Sequence, residues 1–209
     1  MELLKALSWR YATKRMNGQR VPDEKVNTIL EAIRLSASSL GLQPYRVIVV
    51  DDADLKAKIH EKACQQPQIV EGSHVLVFAA YKNINEDMVN DYITRIANER
   101  GVEVSQLGDF KQMINGFLSS KSVQDIVAWN TRQAYIGLGH GLVAAAIQEV
   151  DATPMEGFDP NEMDNVLGLG ELGLQSVVVL TIGYRDPEKD YLANAQKVRL
   201  PMDTFFIRK

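Results

Sequence analysis

Apolar residues recur along this chain with two different periods, which predict helices and strands in alternation. A spacing of three or four residues predicts a short helix around Leu4, a helix opened by Pro22 and another over 51–64. Unbroken apolar runs between polar segments predict buried strands. These runs cover 45–50, 74–81 and 176–183.

The second half of the chain holds the longest apolar run, which predicts one helix over 123–149. Small residues such as Gly137 and Gly141 let another helix approach it closely. A central core helix and a seam between two copies of the chain are both compatible with this pattern, and both can hold. Asp159 followed by a proline predicts the start of a further short helix, which ends at Gly168.

Two segments depart from the regular pattern. Residues 85–121 are more polar, with helical patches, and predict an excursion from the core rather than a second domain. We therefore expect a single domain over 1–209. Beyond Pro187 the pattern predicts an extended arm. The apolar residues at its tip, Phe205, Phe206 and Ile207, need a surface that a partner subunit could provide.

Composition narrows the possible functions. A net charge of −4 with no extended basic face argues against nucleic-acid binding. The longest apolar stretch, 134–147, is interrupted by glycines and a histidine and is too short to span a membrane. The single cysteine, Cys64, excludes an internal disulfide framework and fits a reducing compartment. With a charged N-terminal segment that does not resemble a signal peptide, a cytoplasmic protein is expected.

Two motifs that often carry chemistry are excluded by their context. Residues 168–173 match the glycine pattern of dinucleotide-binding proteins. That pattern needs a strand before it and a helix after it, whereas here a helix precedes and a strand follows. A helix end and a turn are predicted instead. The three histidines lie far apart without cysteine or carboxylate at ligand spacing, so no metal site is predicted.

The candidate chemistry lies in basic residues near both ends of the chain. Arg10 and Lys14 stand in one short segment, and Lys197 and Arg199 stand in another. Each pair alone would indicate a solvated helix end. Together, with the glycine-containing loop 154–158 between them, they predict a phosphate held from distant parts of the sequence. Arginine suits this task because its planar fork makes paired, charge-assisted hydrogen bonds.

Five short segments in this order resemble the nitroreductase family, whose members are homodimeric flavoproteins that hold FMN and are reduced by NADH or NADPH. Each segment is modest alone, but five in register cover nearly the whole chain. The segments are 10–14, 37–39 with 43–45, 65–68 with 73–75, 154–158 and 197–201.

The resemblance implies that three cations grip the FMN phosphate, while neighbouring residues follow the ribityl chain. The cations are Arg10, Lys197 and Arg199, and the ribityl neighbours are Tyr11 and Ala12. Lys14 would lie at the N1/O2 edge of the isoalloxazine, where a cation makes reduction easier.

The resemblance also implies residues around the isoalloxazine ring. The backbone N–H groups of Glu156 and Gly157, which follow Pro154 and Met155, would face N5 and O4, where a hydride arrives. Gln65 stands where many relatives carry asparagine, and Gln68 stands where some carry lysine. Both glutamines would contact the pyrimidine ring without adding charge. The segment contributed by the other subunit would include Ala37, Ser38, Ser39 and Gly41.

The fold implied by the resemblance is α+β, an α/β sandwich with a mixed central β-sheet flanked by helices. Two chains would form an intertwined homodimer, and the C-terminal arm of each would lie across its partner. Residues 85–121 would form a helical excursion over the active site. Phe117 or Phe110 would serve there as an aromatic lid or as core packing.

The implied reaction follows a ping-pong order, in which FMN takes a hydride from NAD(P)H and a small electron-poor acceptor such as a nitroaromatic or quinone is then reduced. Other interpretations stay open. The protein could be an FMN reductase acting on an enone, pteridine or halogenated substrate. It could also be a flavin-binding carrier or sensor without turnover, or a flavin-free dimeric scaffold.

Overall fold

A computed structural model of the chain describes residues 2–209, in which helices and strands alternate along the sequence. The helices are α1 (Leu3–Trp9), α2 (Asp23–Arg34), α3 (Ala53–Lys62), α4 (Gln68–Glu71), α5 (Glu86–Arg100), α6 (Gly108–Ser119), α7 (Val123–Ile147), α8 (Pro160–Leu167) and α9 (Met202–Phe205). The strands are β1 (Tyr45–Val50), β2 (His74–Tyr81), β3 (Asp151–Met155) and β4 (Leu174–Gly183).

The strands form one sheet in the order β1-β2-β4-β3, and every neighbouring pair is antiparallel. The expectation of a mixed sheet is therefore wrong for residues 2–209. The reason lies in the connections. The end of β1 at Val50 pairs with Val75 at the start of β2, so α3 and α4 return the chain to the same end of the sheet. A parallel pair would need a crossover to the opposite end.

Successive residues of β2 pack against helices on opposite faces of the sheet. Leu76 and Phe78 share a cluster with residues of α2 and α7, whereas Val75 and Val77 share one with α3, α4 and α8. This alternation is the period of a strand that is buried on both sides. The sheet is thus the middle layer between two layers of helices, which confirms the α+β class and the flanking helices.

The excursion over 85–121 is more regular than its sequence pattern indicates. It forms α5 and α6, which build a hydrophobic cluster of their own around Ile93 and Ile114. Phe110 and Phe117 are partly buried in this cluster, and the ring of Phe117 lies 5.1 Å from that of Trp129. Both phenylalanines therefore take the core-packing role.

The predicted helices and strands are all present, and the rejected glycine pattern is a pair of turns. Gly168 ends α8 with φ +64° and Gly173 precedes β4 with φ +66°, both in the left-handed region that favours glycine. The strand β3 was not predicted. Its five residues include Asp151, Thr153 and Pro154, so it lacks the apolar run that marks the other strands.

Candidate functional site

The segment 10–14 has no regular secondary structure, yet its backbone is firmly held against the sheet. Thr13 is fully buried. Its carbonyl oxygen accepts hydrogen bonds from Gln68 Nε2 at 2.9 Å and from Thr153 Oγ1 at 2.8 Å. The segment therefore lies between α4 and the edge strand β3, where the two halves of the predicted site come together.

Asp190, a residue that the sequence analysis did not select, anchors both ends of this segment. Its Oδ2 accepts from the Tyr11 hydroxyl at 2.9 Å and from the Lys14 N–H at 2.7 Å. Burial alone would raise the pKa of Asp190, but donors from Lys14, Leu192 and Tyr11 outweigh it and bring the pKa below its usual value. Burial, followed by the bond to Asp190, raises the pKa of Tyr11. The pair thus stays in its bonded form, phenol with carboxylate, near neutral pH.

Three of the predicted cations line one cleft of about 400 Å³, although Arg10 precedes Lys197 and Arg199 by almost 190 residues in the chain. Arg10, Lys197 and Arg199 stand in its wall together with the ribityl candidates and Pro154. The cleft therefore unites the start of the chain, the end of β3 and the segment after β4, as the sequence predicts for a phosphate site.

In the described part of the chain, the charges of these three cations are not matched by ion pairs, whereas Arg185 in the same cleft is paired with Asp151. Within residues 2–209, none of the three cations forms an ion pair; Lys197 donates to the Leu7 carbonyl and Arg199 to that of Val198. Arg10 Nε is buried and has no hydrogen-bond partner. Burial and then the charge of Arg199 lower the pKa of Arg10, and burial, Arg10 and Arg199 lower that of Lys197. Cations this close together repel one another, and an anion placed among them would relieve that repulsion.

The loop after β3 carries the other predicted site residues. Met155 is half-buried at the end of the strand, and Glu156 and Gly157 are exposed beyond it. Glu156 Oε1 accepts a 2.6 Å hydrogen bond from the hydroxyl of Tyr135 on α7. Burial, assisted by this carboxylate, raises the pKa of Tyr135 to about 12, so the phenol remains a donor.

Gly157 leaves open space where a side chain would stand. A Cβ built on it meets no atom within 4 Å. Its carbonyl oxygen lies 3.9 Å from the Sγ of buried Cys64, the residue before Gln65. The glycine loop and the 65–68 segment are therefore neighbours, and Gly157 itself adds no side chain between them.

The two predicted glutamines differ sharply in their surroundings. Gln65 is exposed, whereas Gln68 is buried with 2% of its surface accessible. The amide nitrogen of Gln68 donates to the Thr13 carbonyl. Within residues 2–209, the Oε1 of Gln68 is buried and has no hydrogen-bond partner. Only this oxygen remains to accept a hydrogen bond from a ligand, such as a ring N–H.

The segment 37–41 does not line the cleft. Ala37, Ser39 and Gly41 are exposed and Ser38 is partly buried. The backbone is pinned by the bonds from Ser39 N–H to Gln133 Oε1 at 2.8 Å and from Gln43 N–H to Ser38 Oγ at 2.9 Å. The prediction that these residues serve the site of a partner subunit stays a prediction.

This pinned loop holds backbone strain. Leu40 has φ +58° and Gln43 has φ +45°, both unusual for residues with side chains. A Cβ on Gly41 would lie 2.1 Å from the Tyr92 hydroxyl, which donates to the Leu40 carbonyl at 2.9 Å. Strain of about 1–3 kcal/mol per residue persists only where surrounding contacts enforce it, often at ligand sites.

Sequence reasoning missed Asp151 and Asp190, which hold the segment of Arg10 and Lys14, and Tyr135, which donates to Glu156. Asp190 belongs to a charged run that resembles a solvated turn. Asp151 opens an unpredicted strand, and Tyr135 lies within a long apolar helix. The only available signal was Asp151, a lone acid between apolar residues, which indicates a buried carboxylate in need of a cation.

Within residues 2–209, no group of three or more histidine, cysteine or acidic residues is arranged to hold a metal ion. Nor does any helix described for these residues have the length and apolar character needed to cross a membrane.

Comparison with known proteins identifies the family. A model of the nitroreductase family matches residues 7–184. The major NAD(P)H-flavin oxidoreductase of Aliivibrio fischeri is 32% identical over 197 residues, which cover 91% of this chain and 90% of the relative. The oxygen-insensitive NAD(P)H nitroreductase of Salmonella typhimurium is 28% identical over 217 residues, covering 98% of each.

Solved structures share the fold. A nitroreductase-like protein from Exiguobacterium sibiricum, crystallised in complex with FMN, superposes with a TM-score of 0.83 at 21% identity over 100% of this chain and 98% of that one. The chain belongs to the nitroreductase family, which confirms the resemblance drawn from the five segments.

Replacing Asp190 by asparagine tests its anchoring role. At neutral pH we expect Asp190→Asn to lower the free energy of unfolding by about 1–3 kcal/mol, because charged acceptors make the stronger hydrogen bonds. A carboxyl whose folded pKa is depressed contributes stability above its ordinary pKa of 3.8 and loses it as the pH falls through the lower, folded value. Urea unfolding from neutral pH down to about pH 3 should therefore show the two proteins converging below the ordinary pKa.

The control is Asp203→Asn, whose carboxylate is exposed on α9 and accepts only from the Thr204 hydroxyl at 3.4 Å. A difference between wild type and Asp190→Asn that is absent at neutral pH, or that grows on acidification, would contradict the anchoring role.

Proposed function

We propose that the chain is an FMN-dependent oxidoreductase that takes a hydride from NAD(P)H and reduces small electron-poor acceptors, with nitroaromatics and quinones as the first class to test. Membership of the nitroreductase family gives the coarse activity, an NAD(P)H-dependent oxidoreductase with FMN as cofactor. The acceptor class and the ping-pong order are the finer parts of the proposal.

The cleft with three cations and no acid partner carries this proposal. An FMN phosphate would supply the missing negative charge and an acceptor for the buried Nε of Arg10. Arginine and lysine together at one phosphate give both a directed fork and a point charge. The residues present therefore fit the phosphate end of the cofactor.

The surroundings of the isoalloxazine ring also fit. The orphaned Oε1 of Gln68 offers an acceptor, and the open side of Gly157 leaves room for a flat ring against the backbone. Lys14 is half-buried, and no carboxylate in the described part of the chain pairs with its ammonium. Bound FMN would supply the hydride-accepting chemistry, and the protein would position and tune it.

Each site residue has a definite task in this scheme. Lys14 places a positive charge where negative charge develops on reduction. The backbone N–H groups of Glu156 and Gly157 orient the edge that receives the hydride. Tyr135 restrains the Glu156 carboxylate through its 2.6 Å hydrogen bond. Residues 85–121 shape access for the acceptor, as part of one FMN-binding domain over 1–209.

A homodimer is part of the proposal, and the long helix α7 supports it. A Cβ at Gly137 would clash with Tyr45, and one at Gly141 would press on Ile33, so both glycines have packing reasons within the chain. Gly139 has no such packing reason, because a Cβ there would meet no atom of another part of the described chain within 4 Å. A glycine inside a helix costs about 1 kcal/mol relative to alanine, which a close approach by a second copy would offset.

The C-terminal segment supports the same assembly. Beyond β4 the chain presents apolar side chains to solvent, with Val198 84% and Ile207 85% exposed. Large exposed apolar patches mark interaction surfaces. We propose that this segment lies across a partner chain, which in turn receives residues 37–41 at its cofactor site. The single free cysteine, Cys64, supports a cytoplasmic location, where thiols stay reduced.

A purified sample tests the activity directly. We expect a yellow protein whose visible absorbance bleaches anaerobically on addition of NADH or NADPH and recovers on addition of a nitroaromatic or a quinone. Steady oxidation of the nicotinamide with these acceptors establishes turnover. Bound flavin that bleaches without turnover would favour a carrier or sensor, and a protein that gains no yellow colour with FMN would refute the proposal.

Removing cations from the cleft tests the phosphate site. Arg10→Ala and Arg199→Ala should each weaken FMN binding roughly 10-fold to 100-fold, the loss expected for about 1.5–3 kcal/mol of charged hydrogen bonding. Flavin released on dilution and dialysis measures it, and far-ultraviolet circular dichroism checks the fold. Arg46→Ala, an exposed arginine outside the cleft, is the matched control. Unchanged flavin occupancy in both cleft variants would refute the assignment.

A bulky residue at Gly139 tests the dimer seam. Gly139→Leu should shift the protein toward monomer in light scattering and reduce FMN retention, because a seam that needs a glycine cannot accept a branched side chain. Gly116→Leu is the control, since Gly116 also faces open space on a helix but lies in the excursion. A Gly139→Leu protein that remains a tight dimer would place the seam elsewhere.

A further inference from the structure

We infer that Arg185 is a positioning residue of the phosphate clamp, the three cations Arg10, Lys197 and Arg199. It fixes the position of Arg10 through the two neighbours of Arg10 in the chain and does not itself bind the phosphate. The inference rests on the proposed FMN site. It adds a residue that none of the five family-like segments contains, and it explains how one clamp arginine at the end of a short helix acquires a fixed place.

The guanidinium of Arg185 lies between two aromatic rings. Its Cζ is 4.3 Å from the ring centroid of Trp9 and 4.6 Å from that of Tyr11. Both distances are within the range of a cation–π contact. Trp9 and Tyr11 are the chain neighbours of Arg10, whose backbone is extended with φ −70° and ψ 142°. Residues two apart in extended backbone present their side chains to the same side, so both rings can meet one arginine.

A buried carboxylate holds this arginine in place. Arg185 Nε lies 3.0 Å from each carboxylate oxygen of Asp151, and Nη2 lies 2.5 Å from Oδ1. The backbone N–H of Arg185 also donates to Asp151 Oδ2 at 2.8 Å. The side chain of Asp151 is only 3% exposed. Asp151 begins β3 opposite Gly183, the last residue of β4, and Arg185 follows two residues later, so the pair joins the ends of two neighbouring strands.

This pairing separates Arg185 from the three clamp cations. Among residues 2–209, Arg10, Lys197 and Arg199 have no acid in an ion pair. The charge of Arg185 is matched by Asp151, to which two of its side-chain nitrogens donate. Arg185 therefore contributes geometry rather than net charge to the cleft it lines. The rings of Trp9 and Tyr11 transmit that geometry to the backbone on either side of Arg10.

The consequence is specific to the phosphate end of the ligand. Weakening the contacts of Arg185 with Trp9 and Tyr11 should let Arg10 sample other positions and bind the phosphate less tightly. Contacts to the flavin ring should stay as they are. Riboflavin is the same molecule without the phosphate. The preference for FMN over riboflavin therefore reports the clamp, whereas a general loss of structure would weaken both ligands together.

The experiment uses the full-length apoprotein and measures dissociation constants for FMN and riboflavin by flavin fluorescence. Arg185→Ala would strand the buried Asp151 charge and could prevent folding. Arg185→Lys, which keeps the charge but loses the flat fork, and Trp9→Ala, which removes one ring, avoid that problem. Each should reduce the FMN-over-riboflavin preference roughly 3-fold to 30-fold, the span of cation–π contributions.

Two further variants sharpen the test. Trp9→Phe retains a ring and should restore most of the preference. Arg46→Ala removes an arginine that lies over Tyr81 at 5.0 Å, a similar stack outside the cleft, and should leave the preference unchanged.

An unchanged preference in Arg185→Lys and Trp9→Ala, or an equal loss for both flavins, would overturn the inference while leaving the FMN site intact. A wild-type protein that binds FMN no more tightly than riboflavin would overturn the clamp itself and the inference with it.

Discussion

Three carboxylates from separate parts of the chain hold the N-terminal segment against the sheet, and the cleft depends on that attachment. Asp151 pairs with Arg185 and accepts from the Thr13 hydroxyl, Asp190 accepts from Tyr11 and Lys14, and Glu71 receives Arg15 and the Met16 N–H. A segment without helix or strand has few backbone bonds of its own. These acids replace them, so a stretch that would otherwise be mobile presents its cations at fixed places.

The acids also explain why the cleft keeps its positive charge. Two of the three anchoring carboxylates are matched by a cation outside the clamp, Asp151 by Arg185 and Glu71 by Arg15. The third, Asp190, accepts from the Tyr11 hydroxyl and the Lys14 N–H. None is left to pair with Arg10, Lys197 or Arg199 in the described chain. Cations that repel one another cost folding energy, and that cost is tolerated where a ligand removes it. Among residues 2–209, Arg15 and Arg185 of this region are held by acids, whereas Arg10 and Arg199 keep the unpaired charges that the proposed anion site requires.

Strong apolar periods, with caps such as Asp52 before α3 and Asp159 before α8, allowed three of the strands and the helices α1, α2, α3, α7 and α8 to be predicted. The short helices α4 and α9 were not predicted, and α5 and α6 were predicted only as helical patches. The strand β3 was not predicted because a buried acid and a proline break its apolar run. The antiparallel order of the sheet was not predicted because it depends on which end of the sheet each connection returns to, and no local pattern specifies that. At the site, the cations could be found because they differ from their neighbours in charge. The supporting residues were missed. Asp151 between apolar neighbours indicates a buried carboxylate, but its partner Arg185 lies more than thirty positions away, where no local pattern points to it.

Pro154 has a consequence beyond the cleft that it lines. It lies in β3, the outermost strand of the sheet, and pairs with Leu180 of β4. Proline has no N–H, so β3 offers one backbone donor fewer for pairing with another strand. An edge strand whose backbone donors and acceptors are all free can pair with other chains and lead to aggregation. Pro154, which lines the cleft, thus also makes β3 a poorer template for pairing with the strands of other chains.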